Sequence, residues 1–423
     1  MTRIAVYAAW ESLKGARRLG FLHARKARAN EGFQFEYDPA ALADPELSFM
    51  GLDPRIKLFQ GHQFPGGHQS QFGVFADSSP DRWGRLLMKR RLEREIRDAI
   101  VPGGSKLFES DYLLGVHDAF RVGALRYKLN DEGRFLDDRE NMAAPPFLKL
   151  RALEQASRAL ENDPDNTSVE GGEWLRMLIA PGGSLGGARP KASVADQRGQ
   201  LWIAKFPSIR DDYDVGGWEM VVNALANNCG LRVATGTAQR YASDHHCFMV
   251  KRFDRNESGG RFHFASAMTM TDRVDGDDAS TGASYMELAR VIIEHGSDVD
   301  TDLRELWSRI VFNILVSNTD DHLRNHGFIL DPGRGWRLSE AYDMNPVAHA
   351  DGLKLNITDS DNALDLELAR EVAGTFRVNN EDAEQIINDF QLTVMQWPTL
   401  ASALGIPRRE QENMAPAFQL SEK

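Results

Sequence analysis

"SNTDDHLRNHGF", residues 317–328, crowds acids, amides, two histidines and an arginine ahead of a single glycine. The apolar run "IVFNILV", 310–316, leads into it, and the apolar pair Ile329-Leu330 follows. The run reads as the end of a buried helix, whereas the turn-prone Asn-Thr-Asp-Asp and Gly327 read as a loop. A chain that sets so many polar groups against a buried helix has a use for them. Three chemistries fit: a metal site, a nucleophilic relay or phosphoryl transfer.

His322 and His326 stand at i, i+4, the spacing of zinc ligands on a helix, but Leu323 takes the place of the glutamate in the zincin motif H-E-x-x-H. No G-x-S-x-G elbow supports a serine relay. Asp320 and Asn325 stand in D-x-x-x-x-N spacing, as in the catalytic loop of protein kinases. There the carboxylate accepts a substrate hydroxyl's proton and the amide oxygen reaches a Mg²⁺ held by nucleotide phosphates. Downstream, "LSEAYDMNP" places Asp343 after a strand-like segment, where a further metal-binding carboxylate is needed. One or two carboxylates plus phosphates suffice for magnesium. Taken alone, D-x-x-x-x-N is also the pattern of a capped turn, so it needs partners upstream.

Composition narrows the setting. A chain of 423 residues is long for one core and points to two or three domains or one two-lobed body. Its 42% hydrophobic and 26% charged content is that of a soluble globular protein. A net charge of −12 argues against a broad nucleic-acid surface. Two cysteines, Cys229 and Cys247, are too few for a disulfide framework and fit a reducing cytoplasm. The opening "MTRIAVYAAWESLKGARR" lacks a signal-peptide core, and no stretch reaches the ~20 apolar residues that span a bilayer. The expectation is a cytoplasmic protein with no membrane partner.

Residues 1–76 read as short strands, "RIAVYAAW", "RLGFLHAR", "GFQFEYD" and "QFGVFAD". "SPDRWGRLLMKRRLEREI" reads as a helix with Ser79 as cap, Pro80 in the first turn and Trp83, Leu86 and Leu87 on one face. "FRVGALRY" is strand-like and "ENDPDNTSVEGGE", 161–173, is the clearest linker. Beyond about residue 265 helices dominate, the longest C-terminal one with Ile386, Phe390, Val394 and Trp397 as a core-facing stripe.

The upstream partners are present. "APGGSLGGARPKA", 180–192, is a glycine-rich loop whose backbone N–H groups can cradle phosphate oxygens, although it is neither a Walker A loop nor G-x-G-x-x-G. "QLWIAKFPS" sets Lys205 in a strand like the V-A-I-K lysine that pairs with nucleotide phosphates, and Glu219 in the following helix stands where a lysine-orienting glutamate is expected. A flexible hairpin and a solvated lysine would explain each alone. The ordered set is harder to dismiss.

In this order of motifs the chain resembles the HipA-like serine/threonine kinases, toxins of bacterial type II toxin–antitoxin pairs. "FADSSPDRWGRLLMKRR", "LLGVHDAFRVGALRY", "GGSLGGARPKA", "IAKFP", "VKRFDR", "NTDDHLRNHGF" and "YDMNP" follow in family order over nearly the whole length. The resemblance implies an α+β, two-lobed protein-kinase-like fold of HipA type, with a mixed α/β N-lobe and an all-helical C-lobe. Residues 1–128 would form an N-terminal subdomain, 129–265 the rest of the N-lobe and 266–423 the C-lobe.

It also implies roles, with ATP and Mg²⁺ as cofactors. Asp320 becomes the proton acceptor and Asp343 the principal metal ligand, assisted by Asn325. Gly186, Gly187, Ala188, Arg189, Pro190 and Lys191 border the phosphates and Lys205 contacts them. Lys251, Arg252 and Phe253 form the adenine hinge, partly through backbone groups, while His322, Leu323, Arg324, Asn325 and Tyr342 complete the nucleotide pocket. Ser184 matches the loop serine that family members autophosphorylate. The implied partners are a protein substrate, aminoacyl-tRNA synthetases being known targets, and a small, separately encoded DNA-binding antitoxin through which DNA is reached indirectly. Gly-Ala-Arg-Pro-Lys in the loop and "RFHFASAMTMTDRVDG", 261–276, depart from the best-known members and leave the substrate open. The competing readings are a catalytically silent docking module and a kinase for a lipid or small molecule.

Overall fold

The computed structural model describes residues 1–27, 30–49, 51–66, 69–138, 145–164, 167–168, 170–179 and 187–422. Its internal contacts divide the chain into two units. The first comprises Met1–Arg210, Tyr241–Ser243 and Lys251–Ala265, and the second Asp211–Arg240, Asp244–Val250 and Ser266–Lys423. Elements through the first long segment are β1 (Thr2–Ala8), β2 (Arg17–Lys26), β3 (Glu31–Tyr37), α1 (Pro39–Ala43), α2 (Gly73–Asp77), α3 (Arg82–Arg97), α4 (Glu109–Leu114), β4 (Leu125–Lys128), α5 (Leu150–Glu161), α6 (Gly171–Ile179), β5 (Lys191–Ala195) and β6 (Leu201–Lys205). There follow α7 (Val215–Asn228), β7 (Gly236–Gln239), β8 (Cys247–Lys251), β9 (Phe264–Ser266), α8 (Ala267–Met270), α9 (Tyr285–His295), α10 (Val299–Leu315), β10 (Gly327–Asp331), β11 (Gly335–Leu338), α11 (Leu366–Val372), α12 (Asn380–Val394), α13 (Trp397–Ala403) and α14 (Arg408–Met414).

In the first unit an antiparallel sheet of order β3-β2-β1-β4 forms from the strands the alternation predicts. Ile4 pairs with Leu22 and Leu22 with Phe35, so the buried side chains line one face. His23 and Glu36 stand on the other. "QFGVFAD" is not a strand: it contains the short helix α2, because the buried Asp53 carboxylate accepts the Val74 N–H at 2.9 Å and Phe72, Val74 and Phe75 all pack inward. The next cap also differs from expectation. Asp81, not Ser79, caps α3 by accepting from the Gly84 N–H at 2.8 Å, since the Ser79 hydroxyl donates back to the Phe75 carbonyl. Leu86 is 38% exposed, and Met88 joins Trp83 and Leu87 in the core instead. Arg90 and Arg94 of α3 donate to the Leu160, Asp163 and Ser168 carbonyls, so the described residues of the predicted linker are tied to α3.

This unit holds charge in its core. Arg121 is fully buried and donates to the carbonyls of Ser78, Leu113, Val116 and Leu136. Asp254 is fully buried against Arg252 and Arg255, at 2.6 and 2.7 Å, and accepts the Gly123 N–H.

In the second unit α10 is the central helix, with Leu306, Trp307, Ile310, Val311, Phe312, Ile314 and Leu315 fully buried. Helices α9, α11 and α12 pack around it. The expected all-helical C-terminal part needs one amendment, the antiparallel hairpin β10–β11, in which Phe328 pairs with Leu338. Gly335 at its turn has φ +138° and lies so close to the His295 carbonyl that a Cβ would sit 2.5 Å away. On α12 the buried face is Ala383, Ile387, Phe390 and Val394, so Ile387 rather than Ile386 belongs to the stripe. Among the described residues no helix is long and apolar enough to cross a membrane.

Candidate active site

The loop after α10 is pinned by amides and an acid before any exposed group is placed. Asn318 is fully buried; its amide nitrogen donates to Asn313 Oδ1 at 3.0 Å, and its Oδ1 accepts the Asn345 N–H at 3.1 Å. Asp321 is buried and accepts from the Tyr285 hydroxyl at 2.5 Å and the Asn313 amide at 2.8 Å, with His326 Nε2 2.7 Å away. Burial pushes the Asp321 carboxyl up, but the adjacent His326 and the donor bonds outweigh it and hold it below the usual carboxylate value. Asp321 thus joins the loop to α9, α10 and the start of β10.

Between these pins lie the predicted chemical groups. Asp320 is exposed, while its backbone carbonyl accepts from His322 N–H and from the Asn325 amide, at 2.9 and 3.0 Å. The loop after β11 lies against this one. Tyr342 donates its hydroxyl to the Arg324 carbonyl at 2.7 Å, and Val347 N–H donates to the Ser317 carbonyl at 3.1 Å. The Asn325 amide also reaches the Asp343 carbonyl, at 3.5 Å. Asp343 is half-buried with φ +59°, a left-handed conformation that aspartate tolerates better than most residues. Asp320, Asn325, Tyr342 and Asp343 are therefore gathered on one wall of the second unit.

Asn325 tests the fit of a metal. Its amide nitrogen is spent on backbone carbonyls, and its Oδ1 is buried with no hydrogen-bond partner. An orphaned buried acceptor costs about 1–3 kcal/mol. Binding a hard, oxygen-seeking cation such as Mg²⁺, which takes amide and carboxylate oxygens as ligands, would relieve that cost. The donor set fits. Around His322 and His326, by contrast, no three-donor metal cluster forms among the described residues, since His326 is committed to Asp321 and lies edge-on to Tyr285. Leu323 is buried, its carbonyl accepting from Met268, and Arg324 pairs with Asp275 at 2.6 Å.

The first unit carries the sequence-predicted phosphate-loop residues and lysines. Lys191 and Lys205 are directly opposite in the β5–β6 pair. Lys191 is buried, with Nζ 3.1 Å from Asp81 Oδ2, and its carbonyl accepts from Trp83 Nε1. Gly187 has φ +89°, and an added Cβ would meet Lys191 Nζ at 2.7 Å. Ala188 is exposed, Arg189 half-buried and Pro190 buried, its carbonyl taking the Phe206 N–H. Ser184 and Gly186 lie outside the described residues. Lys251 and Phe253 are half-buried, whereas the Arg252 side chain is committed to Asp254 and the Phe120 carbonyl, so only its backbone remains for a hinge role. Glu219 is buried in the second turn of α7, in the second unit.

Sequence reading missed Asp81, Asn313, Asn318, Tyr285 and Asp321, which hold the chemical groups in place. The available signal was a polar residue interrupting an apolar helix, as Asn313 does in "IVFNILV". Tyr285→Phe removes one charged-group hydrogen bond and should lower stability by about 1.5–3 kcal/mol in denaturant titration. A loss under about 0.5 kcal/mol would show that Asp321 does not depend on this hydroxyl.

Residues 183–397 match the HipA-like C-terminal domain family. A Haemophilus influenzae protein named "Putative kinase" is 31% identical over 106 residues, 24% of this chain and 31% of that protein. "Putative kinase Y4mE" of Sinorhizobium fredii is 25% identical over 293 residues, 62% of this chain and 66% of that protein. The chain therefore spans less than two thirds of either relative. Among solved structures, one titled as the Shewanella oneidensis MR-1 toxin–antitoxin system HipA, HipB and its operator DNA complex contains a chain that aligns over 99% of this one and 95% of its own length. The TM-score is 0.63 at 14% sequence identity, a likeness of fold.

Proposed function

The chain belongs to the HipA-like C-terminal domain family, and on that premise we propose that it is an ATP- and Mg²⁺-dependent protein serine/threonine kinase acting as a toxin. One observation supports this above the others. The Asn325 amide nitrogen ties the backbone carbonyls of Asp320 and Asp343 together, and its own Oδ1 is buried without a hydrogen-bond partner.

The roles follow from the groups. Asp320, exposed on a pinned loop, orients the acceptor hydroxyl and takes its proton. Asn325 Oδ1 and Asp343 hold the metal, which when bound neutralises charge on the phosphate oxygens. In the first unit Lys191 and Lys205 supply positive charge for phosphates, and backbone groups of 186–191 border them. Lys251 to Phe253 serve the adenine, with Glu219 orienting a lysine. Ser184 is the proposed self-acceptor: phosphate there adds close to two negative charges to the loop that cradles ATP and switches the enzyme off. The external acceptor is a serine or threonine of a protein, with an aminoacyl-tRNA synthetase the first to test. A separately encoded DNA-binding antitoxin, as HipB accompanies HipA in the Shewanella structure, would carry an acidic chain to DNA.

Calorimetry tests the metal ligand. Wild type should bind ATP in a Mg²⁺-dependent way, and Asp343→Ala should lose at least about tenfold in MgATP affinity. Equal affinity in the two proteins would remove Asp343 from the metal.

A further inference from the structure

A second cluster of donors lies far along the sequence from these loops, on the N-terminal sheet of the first unit. His23 on β2, Glu36 on β3 and His62 each offer one ligand atom, and the three atoms lie within 4.8 Å of one another. Among the described residues no other group of three histidine, cysteine or acidic side chains meets that condition. We propose that His23, Glu36 and His62 form a binding site for a divalent transition-metal ion, Zn²⁺ by preference, independent of the proposed kinase chemistry.

The backbone builds this cluster. His23 pairs with Gln34, and Glu36 lies two residues on along β3, so both side chains leave the same face of the sheet as diagonal neighbours. The opposite face buries Leu22, Ala24, Phe35 and Tyr37, which fixes the register and keeps the donors outward. His62 is brought in by its neighbour. Gln63 is buried, exchanges both backbone hydrogen bonds with Phe35 at 2.9 and 2.8 Å, and clasps Lys57 through both ends of its amide. The tripod is thus held by main chain rather than by chance meetings of long side chains.

The spacing suits one ion. His23 Nε2 is 2.9 Å from Glu36 Oε1, and His62 Nδ1 is 3.5 Å from Glu36 Oε2. Ligand atoms about 2.0–2.2 Å from a tetrahedral zinc sit on the order of 3.3 Å apart. Two imidazoles and one carboxylate are a zinc ligand set that leaves a fourth position for water, and imidazole donors also suit copper and nickel. The side chains are 12%, 31% and 51% exposed for His23, Glu36 and His62, so an ion can enter from solvent.

The test uses the full-length chain, stripped with chelator and kept in excess Mg²⁺ to occupy the magnesium site. ZnCl₂ is titrated against a chromogenic competitor. The expected result is one Zn²⁺ equivalent in wild type that is lost in His62→Ala, a change at a half-exposed side chain whose fold is checked by circular dichroism. His23→Ala and Glu36→Gln should weaken binding by at least about tenfold, while His295→Ala, altering an exposed histidine of the other unit, should not change it. Absence of binding to wild type, equal binding by wild type and His62→Ala, or an equal loss in His295→Ala would each overturn the site.

Discussion

Asp320→Asn is expected to fold and bind MgATP like the wild type while phosphoryl transfer falls by about 10²- to 10⁴-fold. The side chain is exposed, and the loop is held by Asn318, Asp321, Asn325 and the Asp320 carbonyl, none of which needs its carboxylate. The amide keeps the shape and loses the ability to take a proton. Unchanged Kd for MgATP with lost turnover would locate the defect in the chemical step. Cells expressing the variant should keep growing where wild type arrests them. Arrest by both would move the toxicity from catalysis to docking.

Asp254→Ala should be the most destabilising single change in the first unit, by about 3–5 kcal/mol. Its carboxylate is fully buried between Arg252 and Arg255 and also accepts the Gly123 N–H. Removing it leaves two buried guanidinium groups without that counter-charge. Burial alone would push the carboxyl up, but the two arginines outweigh it and hold it far below the ordinary carboxylate range. The folded value being depressed, its contribution is complete above the unfolded value near 3.9 and is lost only as pH falls below that. Denaturation midpoints should therefore show the wild-type advantage over the variant at neutral pH and at pH 5 alike. A difference under about 1 kcal/mol at neutral pH would contradict the assignment.

What was legible in the sequence depended on range. Strands β1 to β3 show period-two alternation, and α9, α10 and α12 show helical period, because each answers to one core face. "QFGVFAD" misled because its apolar residues satisfy both periods, and the deciding contact, Asp53 to Val74, comes from another segment. The D-x-x-x-x-N spacing of Asp320 and Asn325 was readable because both lie in one short loop, which the Asn325 amide closes onto the Asp320 carbonyl. The pins were not. Tyr285 and Asp321 are 36 residues apart, and Lys191 reaches Asp81 across about half of the first unit's sequence. The resemblance in motif order supplied the roles that spacing could not, and the family match over 183–397 stands behind it.

The most direct measurement is phosphosite mapping by mass spectrometry after purified wild type and Asp320→Asn are each incubated with MgATP and a cell lysate. Wild type should use MgATP to phosphorylate its own Ser184 and a serine or threonine of at least one lysate protein, with both marks missing from the Asp320→Asn reaction. Equal phosphorylation in the two reactions, or no transfer by wild type to any protein, would contradict the assignment of this chain as a protein kinase.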